Sequence, residues 1–208
     1  MNGRENGLRT ALREGDLKTR LSFLIMGFGN LANKQIVKGI LFLTVEAAFL
    51  LYMIQYGAQA IWSLRNLGDT QQGWVYDETL GIDVLQDGDN SMLLLLFGIA
   101  AVFVVIGFLA IYRKNVMSAY QLQLLKESGE PIPTLKQELR QYLDSNLYVT
   151  LMGLPMLGIF LFTILPLVFM ILVAFTNFDS THQPPGNLFT WVGLQNFVTM
   201  LGAGSTIA

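Results

Sequence analysis

The sequence predicts an all-α membrane protein with three transmembrane helices, at about residues 39–61, 92–112 and 151–175, its N-terminus cytoplasmic and its C-terminus outside. Two observations carry that prediction. Each stretch is apolar and 21 to 25 residues long, enough at ~1.5 Å per residue to cross a hydrocarbon core of about 30 Å. The 13 Lys and Arg residues are also sorted: seven precede the first stretch, Arg65 alone follows it, five lie in 113–150 and none lies beyond residue 175. Basic flanks are poorly translocated, which assigns the N-terminus and the 113–150 loop to the inside, and the 65–91 loop and the tail to the outside.

Composition excludes most other classes. Charged residues make up 13% of the chain against a usual ~25%, hydrophobic residues 52%, and mean hydropathy is +0.47, which leaves too little polar surface for a soluble globule. A net charge of −2 supplies no basic field for nucleic acid. Without cysteine there is no disulfide or thiolate chemistry, and the single histidine, His182, reads as a solvated loop residue. No catalytic residue and no metal ligand is expected, and the chain is not read as an enzyme, because it lacks the clustered His, Cys or paired intramembrane carboxylates such chemistry needs. Ala58-Gln59-Ala60 imitates a signal-cleavage site, but 38 residues precede an apolar run longer than a signal core of ~7–15 residues, so the first helix is retained.

In chain order, residues 1–35 form a cytoplasmic tail and an interfacial segment. Residues 1–19 show no apolar period that could build a core and are expected to be a mobile tail. From Leu21 the spacing of Leu21, Leu24, Ile25, Phe28 and Leu31, with Lys18, Arg20, Lys34 and Lys38 around it, predicts an amphipathic piece on the inner membrane surface, interrupted at Gly27 and Gly29. Residues 36–112 hold two peripheral spans joined by the external loop 65–91, whose six acids do not follow calcium-loop spacing and whose apolar runs at 74–76 and 82–85 predict a hairpin.

Glu46 is the only Asp, Glu, Lys, Arg or His inside any span, about 10 Å from its inner edge. Such a residue costs about 2.5–3.5 kcal/mol to insert, so it should face protein, find a partner or be protonated. Gly39, Met53, Gly57 and Ala60 share its face and mark a helix-packing surface. A proton-relay role would need acidic or histidine partners that the spans lack, which favours a structural hydrogen bond. Tyr52, Gln55, Tyr56 and Gln59 form a second, more polar stripe.

The second span is apolar on every face and reads as lipid-facing. The cytoplasmic loop 113–150 should continue that helix to about Ser128, break at Gly129–Pro133, and restart behind a capping box of Thr134 with Gln137, its Leu135, Leu139, Tyr142 and Leu143 stripe resting on lipid or a partner. Residues 151–208 hold a third span, in which Pro166 removes the hydrogen bond to the Phe162 carbonyl and kinks the helix, so that it belongs against other helices. The tail carries Phe175, Phe178, Phe189, Trp191 and Phe197 around Pro184-Pro185-Gly186. It reads as an aromatic belt with a short interfacial helix at about 194–201, and Phe178, Trp191 and Phe197 offer a surface for an external partner.

Four strings, LSFLIMGFGNL (21–31) with QIVKG (35–39), GDNSM (88–92), LPLVFMILVAFTN (165–177) and WVGLQNF (191–197), resemble the larger permease subunit of maltose/maltodextrin-type ABC importers in its Gram-positive form. The resemblance implies import of a sugar at the bacterial plasma membrane. In that scheme an extracytoplasmic sugar-binding protein delivers the substrate, two permease subunits alternate access, and a cytoplasmic ATPase dimer supplies the energy. ATP would bind those partners, so no cofactor is expected in this chain. The third span would be the first helix of the permease core. The chain departs from the family by ending at Ala208, which reads as a partial permease, with the sugar-contacting side chains expected in later helices. A small membrane scaffold or sensor anchor without transport activity is the alternative.

Overall fold

The computed structural model describes residues 7–134, 136, 137, 140 and 147–203. The helix expected over 135–143 falls mostly outside them. Among the described residues three helices are long and apolar enough to cross a membrane, Ile36–Ser63, Ser91–Glu127 and Leu151–Val173, so the chain has the expected all-α three-span architecture. It divides into two compact units, Met1–Gln55 with Val104–Pro155 and Tyr56–Phe103 with Met156–Ala208.

The elements are α1 (Leu8–Glu14), α2 (Leu17–Leu21), α3 (Phe28–Ala32), α4 (Ile36–Tyr52), a π-helical turn at Met53–Gly57, α5 (Ala58–Ser63), β1 (Gly73–Asp77), β2 (Ile82–Gln86), α6 (Ser91–Glu127), α7 (Leu147–Ile159), a second π turn at Phe160–Ile164, α8 (Leu165–Val173) and α9 (Gln195–Ala203). α4 and α5 make the first span, α6 the second, and α7 with α8 the third.

Helix α6 has clear local causes at both ends. Asn90 caps its start, accepting the Leu93 N–H on Oδ1 at 3.2 Å. At the far end Gly129 takes φ +73°, while Glu130 N–H bonds to Leu125 O at 2.9 Å and Gly129 N–H to Lys126 O at 3.3 Å. That paired closure satisfies orphan carbonyls and needs a left-handed residue, which glycine supplies without a Cβ penalty. With 37 residues the helix is about 55 Å long, well beyond the hydrocarbon thickness, and its polar C-terminal part extends out of the span as expected.

In the first unit α1, α2 and α3 pack on α6. Ala11, Val116 and Tyr120 are buried together, with Leu8, Phe23, Tyr112, Met117 and Leu124 around them. Phe49 of α4 stacks on Phe108 of α6 at 3.7 Å between ring centroids. The expectation of a mobile tail over residues 1–19 is corrected for Leu8 onward, since Ala11 and Thr19 are fully buried. Its ordering comes from hydrogen bonds to a partner about a hundred residues away, which an apolar-period search does not see.

In the second unit Leu67, Leu95, Ile99 and Phe189 form the core, with Trp191, Leu64, Phe103 and Leu172 packed around it. The hairpin expected in the external loop is present, β1 antiparallel to β2 with Trp74 opposite Leu85 and Val75 opposite Val84. Its turn is set by Asp77 Oδ1, which accepts from the Thr79 hydroxyl and N–H and from Leu80 N–H, and by Gly81 at φ +67°. The hairpin's base is closed by Asp89 Oδ2, which accepts the N–H groups of Asp69 and Thr70 at 2.8 and 2.9 Å. Those two amides, Thr70 first, hold the Asp89 carboxyl below the usual carboxylate range, so it is anionic at neutral pH.

The burial of the spans is uneven, and the second keeps a broad exposed face at Leu93, Phe97, Val104, Ile106 and Leu109. Its other face is the best buried of the three spans: Leu95, Gly98, Ile99 and Ala101 are buried, and a Cβ at Gly98 would lie 2.3 Å from Leu64. An all-apolar helix looks the same from sequence on the face that lipid covers and on the face that protein covers. Within this chain the third span is left open instead, with residues 151–157 all exposed.

Candidate functional site

Glu46 sits within the first span, half-buried. Its Oε2 accepts the backbone N–H of Met26 at 2.9 Å, so the carboxylate serves the segment preceding its own helix. The Met26 side chain is fully buried, and without Glu46 its amide would lose this acceptor, a loss of about 1–3 kcal/mol.

Gly39, predicted to share that packing face, is buried against the same segment: a Cβ on it would meet Leu31 at 2.5 Å and Gly27 O at 2.9 Å. Gly27 in turn has φ +82°, and a Cβ there would lie 2.0 Å from Gly39 O. The two glycines bring backbone onto backbone. Gly57 is buried within the π turn, and Ala60 presents its carbonyl to Gly98. The four predicted packing residues therefore fall in two places: Glu46 and Gly39 in the first unit, Gly57 and Ala60 in the second.

Around Gly27 lies a polar clasp that sequence reasoning missed. Asn115 of α6 accepts Gly27 N–H on Oδ1 at 2.7 Å and donates from Nδ2 to Ser22 O at 3.0 Å. Tyr112 donates its hydroxyl to Phe23 O at 2.8 Å. Two turns further along α6, Gln123 accepts Asp16 N–H and the Thr19 hydroxyl, and donates to Glu14 O. Asn30 donates to Gln35 Oε1 and to Ser118 Oγ, both within 2.9 Å, and Gln35 donates onward to Pro133 O at 3.0 Å. Buried polar groups of this kind are costly unless paired, and nearly all of these are. The available signal was the run Asn115, Ser118, Gln123 in a helix otherwise apolar toward its start.

The clasp gives a direct prediction for Glu46. Glu46→Gln keeps an oxygen acceptor for Met26 N–H and should leave the segment as in the wild type, whereas Glu46→Leu should raise amide exchange at Met26 about tenfold, the equivalent of ~1.4 kcal/mol. Identical exchange in the two variants, read by hydrogen–deuterium exchange mass spectrometry, would show that the bond carries no stability.

Pro166 is separated by one residue from the π turn Phe160–Ile164 and lies in the first turn of α8, where its missing N–H has the least effect. The predicted kink site is thus a wide turn, a common way of absorbing a lost hydrogen bond. A second proline, Pro155, lies inside α7. On the tail, Trp191 is turned into its own chain: its indole N–H donates to Leu64 O at 2.6 Å, and its backbone bridges Thr176. Phe178 packs edge-on against Phe189 at 5.5 Å and Phe197 against Phe175 at 5.3 Å, each a little over a third exposed. Asn196 closes the end of the third span by donating to Ala174 O and Thr176 O. Of the three residues expected to offer a surface to an external partner, Phe178 and Phe197 are exposed and Trp191 is partly so.

His182 is held by Asp179, Nδ1 to Oδ1 at 2.9 Å, and Asp179 is pushed below the carboxylate range first by the Thr181 hydroxyl and then by His182. Among the described residues no group of three His, Cys, Asp or Glu could hold a metal ion.

No family model matches the chain, and no solved structure matches it. Curated proteins do. It is 34% identical, over 85% of its length, to the galactooligosaccharides transport system permease protein GanP of Bacillus subtilis, and 29% identical over 88% to the maltodextrin transport system permease protein MalC of Streptococcus pneumoniae. This chain is related to bacterial sugar-transport permeases. A third such relative, the maltodextrin transport system permease protein MdxF of Bacillus subtilis, is 29% identical over 90% of the chain. The chain spans about two-fifths of the length of these permeases, 39–40%. With three membrane-length helices and bacterial permeases as relatives, it is a multi-pass protein of the plasma membrane.

Proposed function

We propose that the chain is part of a membrane-spanning permease subunit of a binding-protein-dependent ABC importer for maltodextrin-like oligosaccharides, oriented with its N-terminus and the 113–150 loop in the cytoplasm. The observation that carries this reading is the similarity to oligosaccharide permeases over 85–90% of the chain, joined to three helices of membrane length. Alternating access in this reading requires a second permease subunit, an ATPase dimer that binds ATP, and an extracytoplasmic sugar-binding protein. The open third span, with residues 151–157 exposed, is the surface of this chain best suited to meet the other permease helices, since small residues such as Gly153 and Gly158 allow close approach.

Two measurements test it. Affinity purification of the tagged protein from bacterial membranes should bring down a second permease and an ATPase, and interruption of its gene should abolish uptake of radiolabelled maltodextrin while glucose uptake continues. Isolation without partners, with uptake intact, would leave a scaffold or sensor anchor as the better reading. Because the chain has no cysteine, orientation can be read with single cysteines: Gln183→Cys should react with an impermeant maleimide from outside the cell and Lys126→Cys should not.

A further inference from the structure

We propose that the cavity between Gln71 and the 181–188 segment, outside the membrane in the orientation given above, binds one pyranose ring of a neutral oligosaccharide. The choice of sugar rests on the import reading, which this site deepens.

The cavity has a volume of about 300 Å³ and is lined by Gln71, Thr181, His182, Asn187 and Leu188. It lies wholly within the second unit and joins two segments far apart in sequence. The Gln71 amide nitrogen donates to Asn187 Oδ1 and, at 3.2 Å, to Gly186 O. Asn187 donates in turn to Thr181 O at 2.8 Å. The neck of the loop that carries residues 181–188 is fixed by the Thr176–Trp191 bridge and by Asn177 Oδ1, which accepts Thr190 N–H at 2.6 Å. Phe189, next to Leu188, is fully buried in the core of the unit. The lining is therefore in place before a ligand arrives, which lowers the ordering cost of binding.

These side chains keep bonding capacity to spare. Both bonds of Gln71 come from its nitrogen, so Oε1 still accepts; Asn187 Nδ2 has a second N–H to donate. His182 Nδ1 lies 2.9 Å from Asp179 Oδ1, and because a carboxylate only accepts, Nδ1 carries the proton and Nε2 is left as an acceptor. Two acceptors and a donor around one small space suit neighbouring sugar hydroxyls, each of which donates and accepts. An anion would face both acceptors and the Asp179 charge, with no Lys or Arg in 66–112 or beyond residue 175 to attract it. An apolar group would leave all three valences unpaired. Leu188, half-buried, supplies an apolar floor for the C–H face of a ring. The volume stands at the lower end of the ~300–1,000 Å³ of ligand clefts, which suits one ring, and the exposed Gln71, Thr181 and Asn187 leave the remaining units of the sugar in solvent.

Saturation-transfer NMR of the full chain, in a detergent without a sugar headgroup, tests the site with maltotriose as the probe. The wild type should transfer saturation to the maltotriose ring protons, and sorbitol, which has the hydroxyls but no ring, should not compete. Gln71→Ala should weaken maltotriose binding about fivefold, the effect of one ligand hydrogen bond. Gln183→Ala, in the same loop but outside the cavity, should bind like the wild type. Absence of transfer from the wild type would overturn the proposal whether or not Gln71→Ala folds, and so would binding that survives Gln71→Ala, falls equally in Gln183→Ala, or yields to sorbitol. A protein that supports maltodextrin uptake yet shows no transfer would lose this site and keep the import reading, whereas transfer in a protein that purifies without an ATPase would do the reverse.

Discussion

Replacing Gly27 with alanine is expected to release the segment from Ser22 to Leu31 from its seat. At φ +82° a Cβ costs about 1–3 kcal/mol by itself, and it would be built 2.0 Å from Gly39 O, a backbone atom that cannot swing aside. The segment must therefore move as a piece, which also breaks the Met26 bond to Glu46 and the Gly27 bond to Asn115. A loss of roughly 3 kcal/mol or more corresponds to at least ~100-fold more opening. Limited trypsinolysis of the detergent-solubilised protein should register it as faster cleavage after Arg20 and Lys34. Gly107→Ala, where an added Cβ meets nothing within 4 Å, supplies the control and should cleave like the wild type. Equal rates for Gly27→Ala and Gly107→Ala would mean that the close approach of Gly27 to Gly39 does not hold the segment.

The second large effect is expected at Asn115. It is fully buried and bonds at both ends of its amide, to Gly27 N–H and to Ser22 O. Asn115→Leu leaves both main-chain groups without partners in a site where they cannot rehydrate cheaply, a cost of about 2–4 kcal/mol. Tyr112→Phe removes one bond only, to Phe23 O, and should cost about 1 kcal/mol. Hydrogen exchange over residues 22–31 should therefore rise by roughly 30-fold or more in the first variant and about fivefold in the second. A Tyr112→Phe effect as large as that of Asn115→Leu would show that α6 holds the segment by packing and not by the amide.

These residues also mark where the sequence was legible. The three spans could be read because each is a long uninterrupted apolar run, and the stop at Gly129 because glycine followed shortly by proline is a strong helix terminator. The hairpin was foreshadowed by Trp74–Tyr76 and Ile82–Leu85 between turn formers. The order in residues 8–19 was not readable, because its partners are the side chains of Tyr120 and Gln123, distant in sequence and joined mainly by single hydrogen bonds. The bond made by Trp191 was hidden for a related reason: only the fold reveals that Leu64 O waits for its indole N–H. Glu46 was recognised as needing a partner, but the partner is a main-chain amide upstream of its own helix, and main-chain groups leave no mark in a sequence.

Most of what Tyr112, Asn115 and Gln123 grasp has no side-chain identity: Phe23 O, Gly27 N–H, Ser22 O, Asp16 N–H and Glu14 O. Recognition by peptide groups ignores which amino acid supplies them, provided the chain follows the same path. Side-chain identity then matters at Tyr112, Asn115 and Gln123, at Gly27 and Gly39, at Glu46, and where the arm bonds through its own side chains, at Thr19, Ser22 and Asn30. A different arm grafted in place of this one should keep its seat if those positions are retained.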